Sequence, residues 1–302
     1  MKITVIGHYC VDVFRRSDGT VERKHGGIYH AVAALASLAA DRDTIFPVFS
    51  VGEKDLEFVR SAFASFRNVD LSAVYTIAGP SNEVVYDDDQ PNERSMNVPP
   101  PIPFSAIKKF LSVDGILVNM VSGQDIVIDT LDEIRLQVRG KKVPIHLDFH
   151  CLTFTVNPDG TRVRRPMPDW RRWCFMTDSV QMNEEEAAEV SAEQYTNELL
   201  AKQMIPLMVK AFLITRGGNG LTLYQEEAKQ LKAENIGAAE PGAPVVSTLG
   251  SGDILGAAFL YAVLKKKSAH DAAVFAEKTA AFSTQFALES KHAELKVMRE
   301  SL

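Results

Sequence analysis

Cysteine is scarce in this chain. Cys10, Cys151 and Cys174 are the three present in 302 residues. They have no metal-ligand spacing, and a sparse, odd count points to reduced thiols in a cytoplasmic protein rather than a disulfide framework. Long apolar runs are missing, which removes any reason to expect a membrane span. Positive charge is not in excess either. A formal net charge of -6 provides no field to draw nucleic acid or an acidic membrane surface. Tandem repeats, low-complexity tracts and linkers are lacking, so nothing divides the chain. The β-branched run straight after Met1-Lys2 leaves no room for a signal peptide.

What remains is an ordinary globular composition, 46% hydrophobic and 24% charged, in a chain long enough for a sizeable core. Short β-branched runs at 3–6, 45–51, 115–120, 143–148 and 211–215 read as buried strands. They alternate with helical stretches at 31–40, 56–66, 104–111, 126–139 and 271–288. Alternation of this kind predicts one α/β domain over residues 1–302, three-layered α/β/α, with a mostly parallel central sheet covered on both faces. Asp18-Gly19 signals a hairpin leaving the sheet early, and Pro47 marks its strand as an edge or a bulge.

The most informative stretch is 245–260. A short apolar strand end leads through Thr248-Leu249-Gly250-Ser251-Gly252-Asp253 into a small-residue helix. The Gly250, Ser251 and Gly252 turn carries few side-chain atoms, so its N–H groups can converge on an anion, and the helix start adds more donors. Asp253, in the first turn, would repel that anion. Its presence makes sense if it accepts a proton from a hydroxyl attacking a bound phosphate. For the acid alone, preference for a helix first turn is sufficient explanation; for the whole run the functional reading is the better one.

Other candidates carry an ordinary reading beside a functional one. Asp12 follows the first strand, where ligands collect in open α/β sheets, and a carboxylate can hold two neighbouring hydroxyls; turn formation would also explain it. Gly26 and Gly27 precede a helix whose first turn includes His30, a hydroxyl donor or simply a helical residue. Asn183 before Glu184-Glu185-Glu186 is a good N-cap. Asp148 ends a strand at the same sheet edge. The basic run Arg162, Arg164, Arg165, Arg171 and Arg172, with Trp170 and Trp173, fits solvated or paired charges better than nucleic acid, and a homodimer contact is left open.

The 248–253 run resembles the C-terminal motif of the ribokinase-like (PfkB) carbohydrate kinases, written D-T-x-G-A-G-D, with Ser247 and Ser251 departing from it. The resemblance implies a ribokinase-like fold with a small β lid, formed by segments near 14–25 and 70–98. It implies an ATP-dependent kinase acting on a hydroxyl of a small sugar-like substrate, with Asp253 as base and the Gly250, Ser251 and Gly252 amides stabilising the transferred group. Asp12, Gly26, Gly27 and His30, which stands where Asn is common, would contact substrate. Asn183 and Glu186 match N-x-x-E, with Glu186 holding Mg2+ through water. Thr215, Gly217 and Gly220 match T-x-G-x-x-G beside the nucleotide, and Gly52 and Asp55 approximate G-x-D. Phe149-His150-Cys151 replaces the usual residues after Asp148. Two alternatives stay open: a nucleoside kinase, with Tyr9, Phe14 or Tyr29 stacking a base, and a ligand-binding member without catalysis.

Overall fold

The β-branched runs lie side by side. In the computed structural model, which describes residues 1–90, 92–240 and 242–301, they form one eight-stranded sheet. Its order is Gln230–Ile236, Leu221–Glu227, Ala211–Thr215, Ser179–Asn183, Ile145–Asp148, Gly115–Asn119, Lys2–Ile6 and Thr44–Val48. From Ala211–Thr215 to Thr44–Val48 every pairing is parallel; the final hairpin is antiparallel. Parallel neighbours need crossovers, and helices fill both faces.

Alternation along each strand sends neighbours to opposite cores. Ile3, Val5, Leu117 and Leu213 pack against the helices Ile28–Leu38, Ser251–Leu264 and Ala269–Ser283. Ile6, Ile116, Val118, Phe212 and Ile214 pack with Leu131, Trp170 and Leu200 on the other face. Thr44–Val48 is an edge strand, which accommodates Pro47. No helix among the described residues is long and apolar enough to cross a membrane.

A second sheet, Val21–Gly27, Tyr9–Arg15, Glu83–Asp87 and Arg94–Met96, has four strands. It contains the expected hairpin, but it starts at Tyr9 rather than near 14. Pro91, inside the expected 70–98 segment, lies outside the described residues. Tyr75–Ile77 does not join this sheet; it pairs with Ser50–Gly52. Before it, Leu71–Ala73 is a 3-10 turn rather than strand, because the Asp70 carboxylate accepts the Ser72 N–H at 2.9 Å.

Three arginines of the basic run, Arg162, Arg164 and Arg172, are ion-paired. Arg162–Arg164 forms a hairpin with Phe154–Val156 that reaches the second sheet, where Ser95 N–H donates to the Gly160 carbonyl at 2.8 Å. Arg162 pairs with Glu93 and donates to Ser95 Oγ, Arg164 pairs with Glu185, and Arg172 with Asp129 and Asp132.

The helix expected over 271–288 is Ala269–Ser283. Ser283 and Thr284 hydroxyls take the Ala280 and Ala281 carbonyls at its end. A short helix not foreseen, Lys291–Glu294, follows.

Asp125 joins the loops that carry the two sheets. It has no exposed surface and accepts from His8 N–H at 2.6 Å, Ser122 N–H at 2.9 Å and Gly123 N–H at 3.1 Å. Replacing it with alanine strands buried amides. We predict that Asp125→Ala loses roughly 3 kcal/mol or more of unfolding free energy in chemical denaturation. A loss below about 1 kcal/mol would mean that this carboxylate is dispensable.

Candidate active site

The helix Ser251–Leu264 starts from Gly250, whose φ of 75° is the left-handed conformation that glycine tolerates best. The same position is closed to a side chain by space, since a Cβ there would stand 2.5 Å from the His30 ring. The Ser251 N–H donates to the Thr248 carbonyl at 3.1 Å, closing the turn. That amide is engaged, so the expectation that all of the Gly250–Gly252 amides line an anion cradle needs correcting. Among the described residues, the N–H groups of Gly250, Gly252 and Asp253 have no acceptor. Gly252 is exposed.

Asp253 follows directly. Its carboxylate, 8% exposed, accepts from Asn119 Nδ2 at 2.6 Å. Asn119 ends a central parallel strand, so the sheet edge and the helix start meet here. Gln181, on the neighbouring Ser179–Asn183 strand, donates from Nε2 to the Gly252 carbonyl at 3.0 Å and to Asp148 Oδ2 at 3.3 Å. Burial, followed by His150 in the opposite sense and the charges of Asp253 and Glu186, holds the Asp148 carboxyl well above the usual range. Asn119 and Gln181 carried no motif in the sequence. The available signal was a polar residue at or near the carboxyl end of an otherwise buried parallel strand.

Across from Asp253, the second sheet presents Asp12, 2% exposed. Cys10, two residues earlier on the same strand, pairs with Gly26, and a Cβ at Gly26 would collide with the Asp12 carboxylate. Burial raises the Asp12 pKa to about 7. Gly27 precedes the helix that bears His30. The His30 ring is buried and stacks on His292 at 5.3 Å, with its Nδ1 3.3 Å from His292 Nε2. Burial first, then His292, pushes the His30 pKa down to about 3, so the ring is neutral. Its buried Nε2 has no partner and lies 4.0 Å from Asp12 Oδ2. A hydroxyl bound between the two would satisfy both. His292, from the unforeseen helix, was missed by sequence reading.

The expected base-stacking residues are already engaged. Tyr9 stacks on Phe49 and bonds His25 at 2.6 Å, Phe14 stacks on Tyr86, and Tyr29 packs on Phe63 and His25. Gly52 abuts Gly79, and Asp55 pairs with Arg23 at 3.0 Å; neither is among the polar contacts of Asp253 or Asp12.

On the other side of Asp253, Asn183 and Glu186 form a complete capping box. Asn183 Oδ1 accepts Glu186 N–H, while Glu186 takes Asn183 N–H and Nδ2 on its two oxygens, each at 2.8 Å. No group of three His, Cys, Asp or Glu side chains converges as a metal cage among the described residues. Both Glu186 oxygens already accept a hydrogen bond within the capping box, and their remaining lone pairs could receive a water bound to Mg2+. His150, at φ 36°, sits near Asp148, Asp253 and Glu186. Burial opposes its charge, but Cys151 and the carboxylates of Asp253 and Asp148 outweigh burial and raise its pKa well above usual. Thr215 ends the strand beside Asn183. Gly217 opens onto free space, whereas Gly220 presses against Ile236 and Gly237. A surface cavity of about 640 Å3 is lined by Arg23, Lys24, Tyr29 and Leu288 and does not include Asp253.

The eight-stranded sheet, its flanking helices and the small second sheet make up the ribokinase-like α/β fold. The chain superimposes on a ribokinase from Thermotoga maritima with a TM-score of 0.74 and 16% identity, covering 99% of each chain. It superimposes on Arabidopsis thaliana ribokinase complexed with ribose and ATP with a TM-score of 0.72 and 18% identity, over 99% of this chain and 98% of that one. A pyrophosphate-dependent kinase in the ribokinase family, complexed with a pyrophosphate analog and myo-inositol, gives a TM-score of 0.75 and 17% identity over 94% of each. Residues 156–288 match the sequence model of the pfkB family carbohydrate kinases, so the resemblance seen at 248–253 holds over that region. No curated protein matches the chain by sequence.

Asp12 offers a test that needs no substrate. A carboxyl whose folded pKa of about 7 exceeds its unfolded value near ~3.9 costs stability as it ionises. The full stability is present below pH ~4 and declines as pH rises toward 7. Asp12→Asn should therefore be more stable than wild type at pH 8 but not at pH 4. Denaturation curves showing no such difference between the two pH values would contradict this burial.

Proposed function

We propose that this protein is a kinase that moves a terminal phosphoryl group to a hydroxyl of a small, sugar-like acceptor. The observation that carries the reading is the pairing of Asp253, held by Asn119 at 2.6 Å, with the unengaged amides of Gly250 and Gly252 at a helix N-terminus. Phosphoryl transfer relies on alignment and on stabilising charge around the transferring group, and these groups are suited to both.

The acceptor lies between the two sheets. Asp12 and the neutral His30 bind its hydroxyls, and one hydroxyl faces Asp253. As that oxygen forms its bond to phosphorus, the bond to the donor oxygen breaks and the donor leaves with the electron pair. The hydroxyl proton passes to Asp253, which need not be strongly basic if transfer comes late. The Gly250 and Gly252 amides hold the phosphoryl oxygens. Mg2+, held through water by Glu186, would neutralise donor phosphate charge. The second sheet acts as a lid that keeps water from competing as acceptor.

ATP is the donor we infer. Support comes from the open Gly217-Gly218 loop beside Asn183 and from the ATP complex of a structural relative. Pyrophosphate is the competing donor, because another relative of the same fold depends on it. A sugar-like acceptor is favoured over a nucleoside because Tyr9, Phe14 and Tyr29 already pack against other rings.

The experiment is turnover with ATP and with pyrophosphate across a panel of sugars, polyols and nucleosides. Activity with ATP and a sugar or polyol is expected. Asp253→Asn should lower kcat by about 1,000-fold or more while donor affinity stays within a few-fold. Near-normal turnover in that variant would refute the assignment. A wild type silent across the panel would leave the fold as a ligand-binding module.

A further inference from the structure

Lys291 has no exposed surface, which is rare for an ammonium group. Its Nζ donates to two main-chain carbonyls of one loop, Leu249 at 2.7 Å and Ser247 at 3.1 Å. That loop leads directly into Gly250. Lys291 falls beyond every motif of the chain.

In a planar trans peptide the C=O of one residue and the N–H of the next point in opposite directions. Drawing the Leu249 carbonyl toward Lys291 therefore aims the Gly250 N–H away from it. The Ser247 carbonyl fixes the Thr248 N–H in the same manner. Elsewhere the loop is tied by Val246 and Ser247 N–H to the Thr284 carbonyl, at 2.8 and 3.0 Å. Those bonds set where the loop starts, but not how its last peptide is rotated before the helix. A cation on the carbonyl oxygen also polarises the peptide and strengthens its N–H as a donor.

We infer that Lys291 is a positioning residue whose buried ammonium orients and polarises the Leu249–Gly250 peptide so that the Gly250 N–H serves the transferring phosphoryl group. The inference rests on the kinase reading of this loop. Lys291 itself touches no reacting atom. The charged and titratable groups that face it are Asp253, His292 and His30. Burial lowers its pKa to about 8, with Asp253 acting in the opposite sense. His30 and His292, both pushed down to about 3, stay neutral around that pH.

The test compares wild type with Lys291→Met, Lys291→Ala and Lys291→Arg. In Lys291→Met, kcat should fall by roughly 100-fold with little change in acceptor KM, the cost of losing one preorganised donor. In Lys291→Ala, methylammonium should restore part of kcat, and tetramethylammonium, which cannot donate, should not. Wild-type kcat should decline as pH rises through about 8, and Lys291→Arg should lack that decline because its charge persists. Pyrophosphate binding, read by calorimetry without turnover, should weaken about tenfold in Lys291→Met. Unchanged kcat in Lys291→Met overturns the inference. So does a folded Lys291→Ala that no amine restores, or a decline retained in Lys291→Arg. A wild type that never turns over fails the kinase reading instead, and equal pyrophosphate affinity in wild type and Lys291→Met then decides against Lys291 on its own.

Discussion

The hydrogen bond from the Asn119 amide to the Asp253 carboxylate, 2.6 Å long and buried, joins the carboxyl edge of the sheet to the start of the helix Ser251–Leu264. That junction sets where the helix start stands against the sheet edge. With Asp253 fixed, Gln181 reaches the Gly252 carbonyl from the next strand, and Gly250 must fold into the small space left by the His30 ring. Strand order places these residues together. The Gly115–Asn119 and Ile145–Asp148 strands are neighbours, with Ser179–Asn183 beside them, so Asn119, Asp148 and Gln181 line one edge.

Charge in this site is arranged in two halves. One half has buried carboxylates, Asp12 and Asp253, set against the imidazoles of His30 and His292, held neutral by burial. Such a half suits uncharged hydroxyls. The other half has open amides, Lys291 behind the loop and His150 beside Asp148. Such a half suits phosphate. The Phe154–Val156 and Arg162–Arg164 hairpin ties the second sheet to the body through Gly160, Ser95 and the Arg162–Glu93 pair. The second sheet is therefore anchored by this hairpin as well as by its own strand connections.

Much of this was legible in the sequence, for physical reasons. Buried parallel strands are continuous apolar runs, which revealed the main sheet and its alternation with helices. The Gly-Ser-Gly turn before an acid marked the candidate loop at 250–253. The individual roles were less accessible. Whether the Ser251 amide points outward depends on a turn bond to Thr248, which composition does not specify. Asn119, Gln181 and Lys291 lie 134, 72 and 38 residues from Asp253 along the chain, and only the folded topology brings them to it. The capping box at Asn183 shows the opposite case, in which the local reading of an N-cap before an acidic first turn is visible directly in the bonds. Leu71–Ala73 turns because the Asp70 side chain takes the Ser72 amide, and the strand begins only at Tyr75.

The most direct measurement is a crystal structure with a sugar or polyol acceptor and a non-hydrolysable phosphate donor bound together. The account predicts an acceptor hydroxyl within about 2.6–3.2 Å of the Asp253 carboxylate and donor terminal phosphate oxygens on the Gly250 and Gly252 amides. An acceptor bound instead in the cavity beside Arg23, Lys24 and Leu288, with Asp253 still closed onto Asn119 and touching no ligand, would contradict it.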